Sequence, residues 1–526
     1  MEQNIQSISK EKFNFVQRND LTHDKKLATK PRGYFADAFV RFCKNKGAVV
    51  GAIVIVFLLL FALIAPFCTP YTVDYYDTIF SLMEPRNEAF VNTNFWDGCK
   101  IKETGYLSFV EDYAIGLETG KGVIKNGEYT VDEETGSYTY RYDTYYGTGF
   151  GRYKIITLEE YNDIQRYQNE TGRQVIYPTV KTADRPGKDD KSPHKVNANL
   201  YYKVTTDRTD TLQPVIENGS VVPNYWQYTG AENKPGLAAE YNSLRIEGEN
   251  GITVGGEQVF YVYGKLMPGN TVEIRAFNYE YYRYYHTQVL KDGIGAPSFL
   301  FGTTSFGKDI FTCLASGARF SFIFAIVVAV VNLFVGAIYG AIAGYFGGKI
   351  DLFMERFSDI LGAVPTMIVI TLLKLHMGTS SQALVLFIAF FMTGWIGMAA
   401  TTRMQFYRYK NQEYVLAART LGASDARLMF KHIFPNAIGT LVTSCALVIP
   451  SMIYSETNLS YLGIINLEAG KITSVGTMIA AGQRDMMVAP FVAVFPSLFL
   501  ALMMLSFNLF GNGLRDAFNP SLRGSE

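Results

Sequence analysis

From Ala48 to Phe67 the chain carries no charged residue, and five further uncharged runs follow late in the sequence: Phe320 to Gly348, Ile360 to Leu373, Ala383 to Thr402, Ala437 to Ile453 and Val488 to Phe510. Twenty helical residues at about 1.5 Å each cross the roughly 30 Å hydrocarbon core of a bilayer. In that medium every backbone amide and carbonyl must be satisfied within the chain, so such runs can only be helices or a closed barrel. Their length and their unbroken apolar texture predict six transmembrane helices, at 48–67 and at about 320–346, 358–375, 383–402, 437–457 and 488–511.

The first run is preceded by a leader of about 47 residues, and its apolar core is long. Both features argue for an uncleaved anchor over a signal peptide. Ala65, Pro66 and Phe67 lack the small-residue pattern that would make Cys68 a lipoprotein site. Basic residues near the spans set orientation. Arg32, Arg41, Lys44 and Lys46 place the 1–47 segment in the cytoplasm, as do Arg403, Arg408, Lys410, Arg419, Arg427 and Lys431 for the 403–436 loop. The 376–382 connection has no lysine or arginine and is expected outside. The organisation expected is then a cytoplasmic segment 1–47, the span 48–67, an extracytoplasmic insert 68–300 and a membrane core 301–526, with both termini inside. The chain has 48 basic and 48 acidic residues, so no bulk positive field points to nucleic acid. Of its five cysteines, only Cys68 and Cys99 are expected to meet outside, and disulfide frameworks belong to small cysteine-dense domains.

The insert is long enough to fold with its own core. It holds most of the tyrosines, and turn dipeptides recur at Asn126-Gly127, Asn218-Gly219, Asn250-Gly251 and Asp292-Gly293. The alternating aromatic and β-branched stretches 137–146, 252–264 and 270–285 predict strands. TLEEYNDIQRYQNETG predicts a helix with Thr157 as N-cap, Glu160 closing a capping box and Gly172 as the stop. A β-rich α+β domain is expected. Its tyrosines suit either the faces of a small sheet or a ligand surface, since tyrosine joins apolar area to a polar tip. His194 and His286 are isolated in the sequence, and no hydrolase or zinc-protease motif occurs.

FGTTSFGKD, from Phe301 to Asp309, has the glycine spacing of a phosphate loop. Asp309 stands where a serine or threonine would hold magnesium, and the segment is expected outside, so nucleotide binding is not expected here. Ionisable groups near the spans are few. Lys374, His376, Glu456, Asp351, Arg356 and Asp359 are read as helix-end anchors that reach water rather than as a proton path. With no ion path and no nucleotide site, the energy for any transport must come from elsewhere.

The segment EYVLAARTLGASDARLMFKHIFPN, Glu413 to Asn436, keeps a helical apolar rhythm that a plain connection does not need. Its reading is a helix ending at Gly422, then a second helix capped by Ser424, with Ala426, Met429, Phe430, Ile433 and Phe434 on one face and Pro435 as the stop. These residues fit a docking surface or, equally, a helix lying on headgroups.

The segment resembles the cytoplasmic EAA loop of ABC importer permeases, with Ala417, Ala418, Gly422 and Pro435 matching and Leu416 at a position usually acidic. Phe39 to Val56, FGTTSFGKD, SGARFSF, Gly344 to Pro365, KHIFPN, SETNLSYLG and Phe507 to Gly524 resemble, in order, the C-type permeases of oligopeptide and dipeptide importers. Departures include Thr304, Lys308, Val475, Asn512, Asn519 and the large insert. The resemblance implies the helical fold of type I ABC importer permeases and a complex made with a homologous B-type permease, two cytosolic ATPases and an extracytoplasmic peptide-binding protein. It implies no cofactor on this chain, with ATP and magnesium on the ATPases. It also implies an ATPase contact through Glu413, Ala417, Ala418, Arg419, Gly422, Ala423 and Arg427, with both arginines at an acidic rim. Pore-lining residues are expected on small or polar faces, at Asn332, Gly336, Thr393 and Thr443. The rival of another class is a membrane-anchored surface receptor or adhesin working through the tyrosine-rich insert, and an ion-coupled carrier is a third reading.

Overall fold

The computed structural model describes residues 34–149, 153–177, 264–378, 382–467 and 472–518, with short strand segments between 202 and 259. Asn218-Gly219, Asn250-Gly251, Arg32, His194 and Asn519 lie outside the described residues. Helix α1 (Tyr34–Lys44) leads into α2 (Lys46–Cys68). Asn45 separates them, its side-chain oxygen accepting from the Ala48 amide at 3.2 Å, which satisfies one of the orphan donors of a helix start.

The insert follows as β1 (Cys99–Thr104), α3 (Tyr106–Thr119), β2 (Ile124–Val131), β3 (Tyr138–Asp143), β4 (Tyr153–Thr157), α4 (Leu158–Thr171), β5 (Ile176–Tyr177), β6 (Gly264–Met267), β7 (Thr271–Ala276) and α5 (Asn278–Tyr284). The first three strands form an antiparallel sheet with β3 central. In the second sheet β7 is central, pairing with β6, β4 and β5. Asn126-Gly127 does not close a hairpin. Both residues have positive φ inside β2, where the pairing register shifts, so the dipeptide makes a bulge, and the β2–β3 turn is closed instead around Asp132 and Gly136.

Helix α4 starts and stops where expected: the Thr157 hydroxyl accepts from the Glu160 amide at 3.1 Å, and Gly172 is left-handed. Glu160 itself accepts a 2.7 Å hydrogen bond from the Tyr281 hydroxyl, tying the helix to α5. The strand expected over 270–285 ends at Ala276, and Asn278–Tyr284 is helical. At helical spacing Tyr279 and Tyr282 enter one core, with Tyr71, Phe80, Tyr145 and Phe299, while Tyr284 enters another with Ile164 and Ile274. A strand would have sent alternate tyrosines to solvent, so burial overrides β-propensity.

Among the described residues, five helices are long and apolar enough to cross a membrane: α2, α6 (Ile310–Phe346), α9 (Gln382–Tyr409), α11 (Asp425–Tyr461) and α13 (Phe491–Phe518). A further pair, α7 (Gly348–Gly362) and α8 (Thr366–Met377), passes the same test jointly but is bent by 66°. The break falls at Pro365, which cannot donate to the helix ladder and disfavours helical backbone at the residue before it. Two shorter helices complete the core, α10 (Glu413–Thr420) and α12 (Val475–Asp485).

Helix α6 begins ten residues before the expected 320, because Asp309 caps it by accepting from the Thr312 amide at 2.9 Å. FGTTSFGKD is therefore a clasp between insert and core. Gly307 has φ +70° and an added Cβ would lie 1.7 Å from the Asp77 carbonyl; Gly302 has φ +79° and sits against Met83. Its glycine spacing answers to this close approach and not to a phosphate. Along α6, Gly336, Gly340 and Gly344 face α9, where added Cβ atoms would lie 2.7, 2.2 and 2.7 Å from the carbonyls of Trp395, Ala399 and Arg403. Small residues at intervals of four let two spans pack backbone to backbone.

Candidate functional site

Helix α9 runs to Tyr409, seven residues into the loop expected at 403–436, and a short turn then leads into α10. At its end Gly422 has φ +82°, and the Ala423 amide reaches back to the Ala418 carbonyl at 3.1 Å, closing the helix with a left-handed cap. Ser424 then caps the next helix by accepting from the Arg427 amide at 3.4 Å. Pro435 does not stop that helix. Residues Leu428–Ile433 form a π-helical stretch and Phe434–Tyr461 continues as α-helix, with Pro435 in its first turn, where a missing donor costs little. The second helix of this segment and the following span are thus one element, α11.

The buried face also differs from the one expected. Leu428, Met429 and Ile433 are buried, whereas Ala426 and Phe430 are exposed, because the wider π turn rotates the stripe. The buried residues join Val415, Phe406, Ala341 and Tyr345 in one cluster, with Ala418 and Ala423 packed against it. The Tyr345 hydroxyl donates to Asp425 at 2.5 Å and accepts from Arg419 at 3.3 Å, and the Lys410 ammonium donates to the Gly344 carbonyl at 2.9 Å. The segment is pinned to the ends of α6 and α9.

The residues expected to act together divide into two sets. Glu413, Ala417, Gly422 and Arg427 are exposed on the outer side; Ala418 and Ala423 turn partly inward, so their small size serves internal packing. Arg419 is exposed but spends one donor on Tyr345. Two features escaped the sequence reading. Leu421 is 88% exposed at the tip, with Leu416 and Tyr414 exposed beside it. Tyr345 lies at the end of α6, with α7, α8 and α9 between it and α10, and nothing in the local pattern marks it as the loop's anchor.

Of the residues expected to line a pore, Asn332 and Thr443 are buried, Thr443 bonding to the Gly439 carbonyl at 2.9 Å, and Gly336 is closed in the α6–α9 contact. Thr393 alone stays partly exposed. Two supposed helix-end anchors are corrected likewise. Glu456 is fully buried and accepts from Ser474 at 2.7 Å and Ser460 at 2.9 Å, joining α11 to α12. Asp351 is buried in a bidentate pair with Arg403 at 2.5 and 2.7 Å, which ties α7 to α9. Cys68 and Cys99 are both free thiols.

Spans packed on one another, with an amphipathic helix pinned at the ends of two of them, define a helical polytopic membrane permease. Residues 336–524 match the family of the binding-protein-dependent transport system inner membrane component, and residues 33–85 match the N-terminal TM domain of oligopeptide transport permease C. The chain is 41% identical over 223 residues to the oligopeptide transport system permease protein OppC of Bacillus subtilis (strain 168), covering 42% of this chain and 72% of that protein. It is 40% identical over 223 residues to the corresponding OppC of Escherichia coli (strain K12), with the same coverage, and 38% identical over 224 residues to the dipeptide transport system permease protein DppC of Bacillus subtilis (strain 168), covering 42% and 69%. The chain belongs to this family of ABC transporter permeases, among the C-type subunits of oligopeptide and dipeptide systems. Residues 86–335 fall between the two family matches.

Proposed function

We propose that this chain forms one half of the translocation pore of an ATP-driven importer of oligopeptides or dipeptides, the other half being a homologous B-type permease. In this reading six spans cross the membrane, with α7 and α8 together as the third, both termini in the cytoplasm and the insert outside. Two cytosolic ATPases, which carry ATP and magnesium, dock beneath α10 and the start of α11. An extracytoplasmic binding protein delivers peptide above.

The observation that carries the reading is the pinned segment. Leu416, Ala417, Thr420 and Leu421 leave an exposed face, half apolar and of low profile, while Val415, Leu428 and Ile433 fix its back to the spans. A push on that face reaches α11 through the packing of Val415 on Leu428, Met429 and Ile433, and α11 then carries it into the span without a break. Switching a two-state pore from 1:99 to 99:1 takes about 5.5 kcal/mol of differential binding, within reach of nucleotide-driven closure of two ATPases. The pore face is assigned to exposed small or polar positions such as Thr393, and not to Asn332, Gly336 or Thr443.

Uptake of a labelled tripeptide into vesicles holding the complete assembly tests the proposal. ATP inside should drive accumulation that survives collapse of the proton and sodium gradients. Accumulation that follows an ion gradient without ATP contradicts it.

A further inference from the structure

At the base of the insert, between the end of α2 and the start of α6, lies a cavity of about 320 Å³. Its walls come from three places in the sequence: Asp74 to Phe80 after the first span, Lys154 on β4, and the α5 region from Asn278 to Leu290. This volume is at the lower end of the range for small-molecule sites. The peptide-permease reading leaves the cavity without a role.

Its chemistry is specific. Tyr75, Tyr281 and Tyr285 supply aromatic walls. Lys154 is partly buried, and its ammonium stands 3.9 Å from the centre of the Tyr281 ring, with no carboxylate within 4 Å among the described residues. Burial pushes its pKa below the ordinary lysine value, with the charges of Asp77 and Glu160 pulling it partly back. Two carboxylates, Asp74 and Asp77, share the lining, and only one Asp77 oxygen is engaged, accepting from the Ile79 amide at 2.9 Å. Asn278 borders the cavity at 1% exposure, but its amide nitrogen donates to the Gly149 carbonyl and its side-chain oxygen is buried away from the open space. His286 lines the cavity as well, but its Nδ1 is paired with Asp292 at 2.6 Å.

A purely anionic ligand would meet two aspartates, and a purely cationic one would meet the lysine. A molecule with both charges satisfies all of them. We propose that this cavity binds a small zwitterion with an apolar side chain: its carboxylate on Lys154, its ammonium among Asp74, Asp77 and the tyrosine faces, its side chain against the aromatic wall. Ammonium over aromatic faces and carboxylate on a partly desolvated cation are both strengthened by exclusion of water. A short peptide and a free amino acid share this chemistry. For the peptide, the cavity becomes a waiting site beside the pore entrance, and that role rests on the importer reading.

Binding to the purified full-length chain in lipid nanodiscs, measured by calorimetry, tests the site with four probes: the dipeptide Gly-Phe, its C-terminal amide, its N-acetyl form and free phenylalanine. Gly-Phe should bind, and capping either end should weaken it by about tenfold, the size expected for one charge-assisted contact. Lys154→Met should abolish the discrimination between acid and amide while keeping that between amine and acetyl, and Lys154→Arg should retain both. Tighter binding of Gly-Phe than of phenylalanine assigns the site to peptide, and the reverse assigns it to the amino acid. Equal binding of free and capped peptides, or unchanged discrimination in Lys154→Met, overturns the site. ATP-driven uptake in the complete assembly, measured separately, tells that failure from failure of the importer reading.

Discussion

Gly422 shows how one backbone angle shapes the site. No heavy atom lies within 4 Å of where its Cβ would be, so a side chain there meets no steric wall. The obstacle is φ at +82°, where a residue with a Cβ loses roughly 1–2 kcal/mol. Gly422→Val should therefore leave membrane insertion unchanged and lower peptide-stimulated ATP hydrolysis by the assembly; normal transport by this variant would show that the left-handed turn is not needed for coupling. Gly422 and the Ser424 cap were legible in the sequence because turn chemistry is local. The inward turn of Ala418, the Tyr345 anchor and the burial of Glu456 were not, since each depends on which helix lies opposite. The partner of Asp351 is Arg403, 52 positions away, so both read as separate surface charges until the helices are placed.

At the scale of elements, hydrophobic runs located the long apolar helices, and boundaries failed where polar residues continue a helix beyond its apolar stretch. The additional turns of α6 are fixed by the Asp309 cap, and the passage through Pro435 is allowed by the π stretch before it. The α6–α9 pair gives a direct test of glycine packing. Gly340→Val places a branched side chain 2.2 Å from the Ala399 carbonyl, and overpacking of this kind costs about 1–3 kcal/mol. Its melting temperature in detergent should fall clearly below that of Gly397→Val, where no heavy atom lies within 4 Å; equal melting of the two variants would contradict the packing. The base of the insert offers a pH test. Burial raises the Glu84 carboxyl from 4.5 to about 7. A carboxyl with a folded pKa above its unfolded value stabilises the fold at low pH, and the contribution is lost as pH rises from about 4.5 through about 7. Proteolysis of the insert in sealed vesicles should be slower at pH 5.5 than at pH 8, and Glu84→Gln should flatten that dependence.

Over the whole molecule, the membrane core and the insert are joined by more than two tethers. Thr303 donates to the Phe80 carbonyl at 2.7 Å and accepts from the Met83 amide at 2.8 Å, while Arg86, buried with Asp143, links the chain after the first span to the three-stranded sheet. These contacts make the insert's base a continuation of the core, and they explain why tyrosines there are mostly packing residues. The expected α+β character was readable from texture; its dependence on residues 71–86 was not, because those residues carry no strand or helix pattern. The central proposal is that α10 and the start of α11 meet an ATPase. Co-purification from mild detergent with the tagged full-length chain tests it most directly. The wild-type chain should bring down nucleotide-hydrolysing subunits, and Ala417→Trp, which enlarges the exposed low-profile face, should lose them while the B-type permease stays bound. Absence of any ATPase with the wild-type chain, or undiminished recovery with Ala417→Trp, would contradict the account.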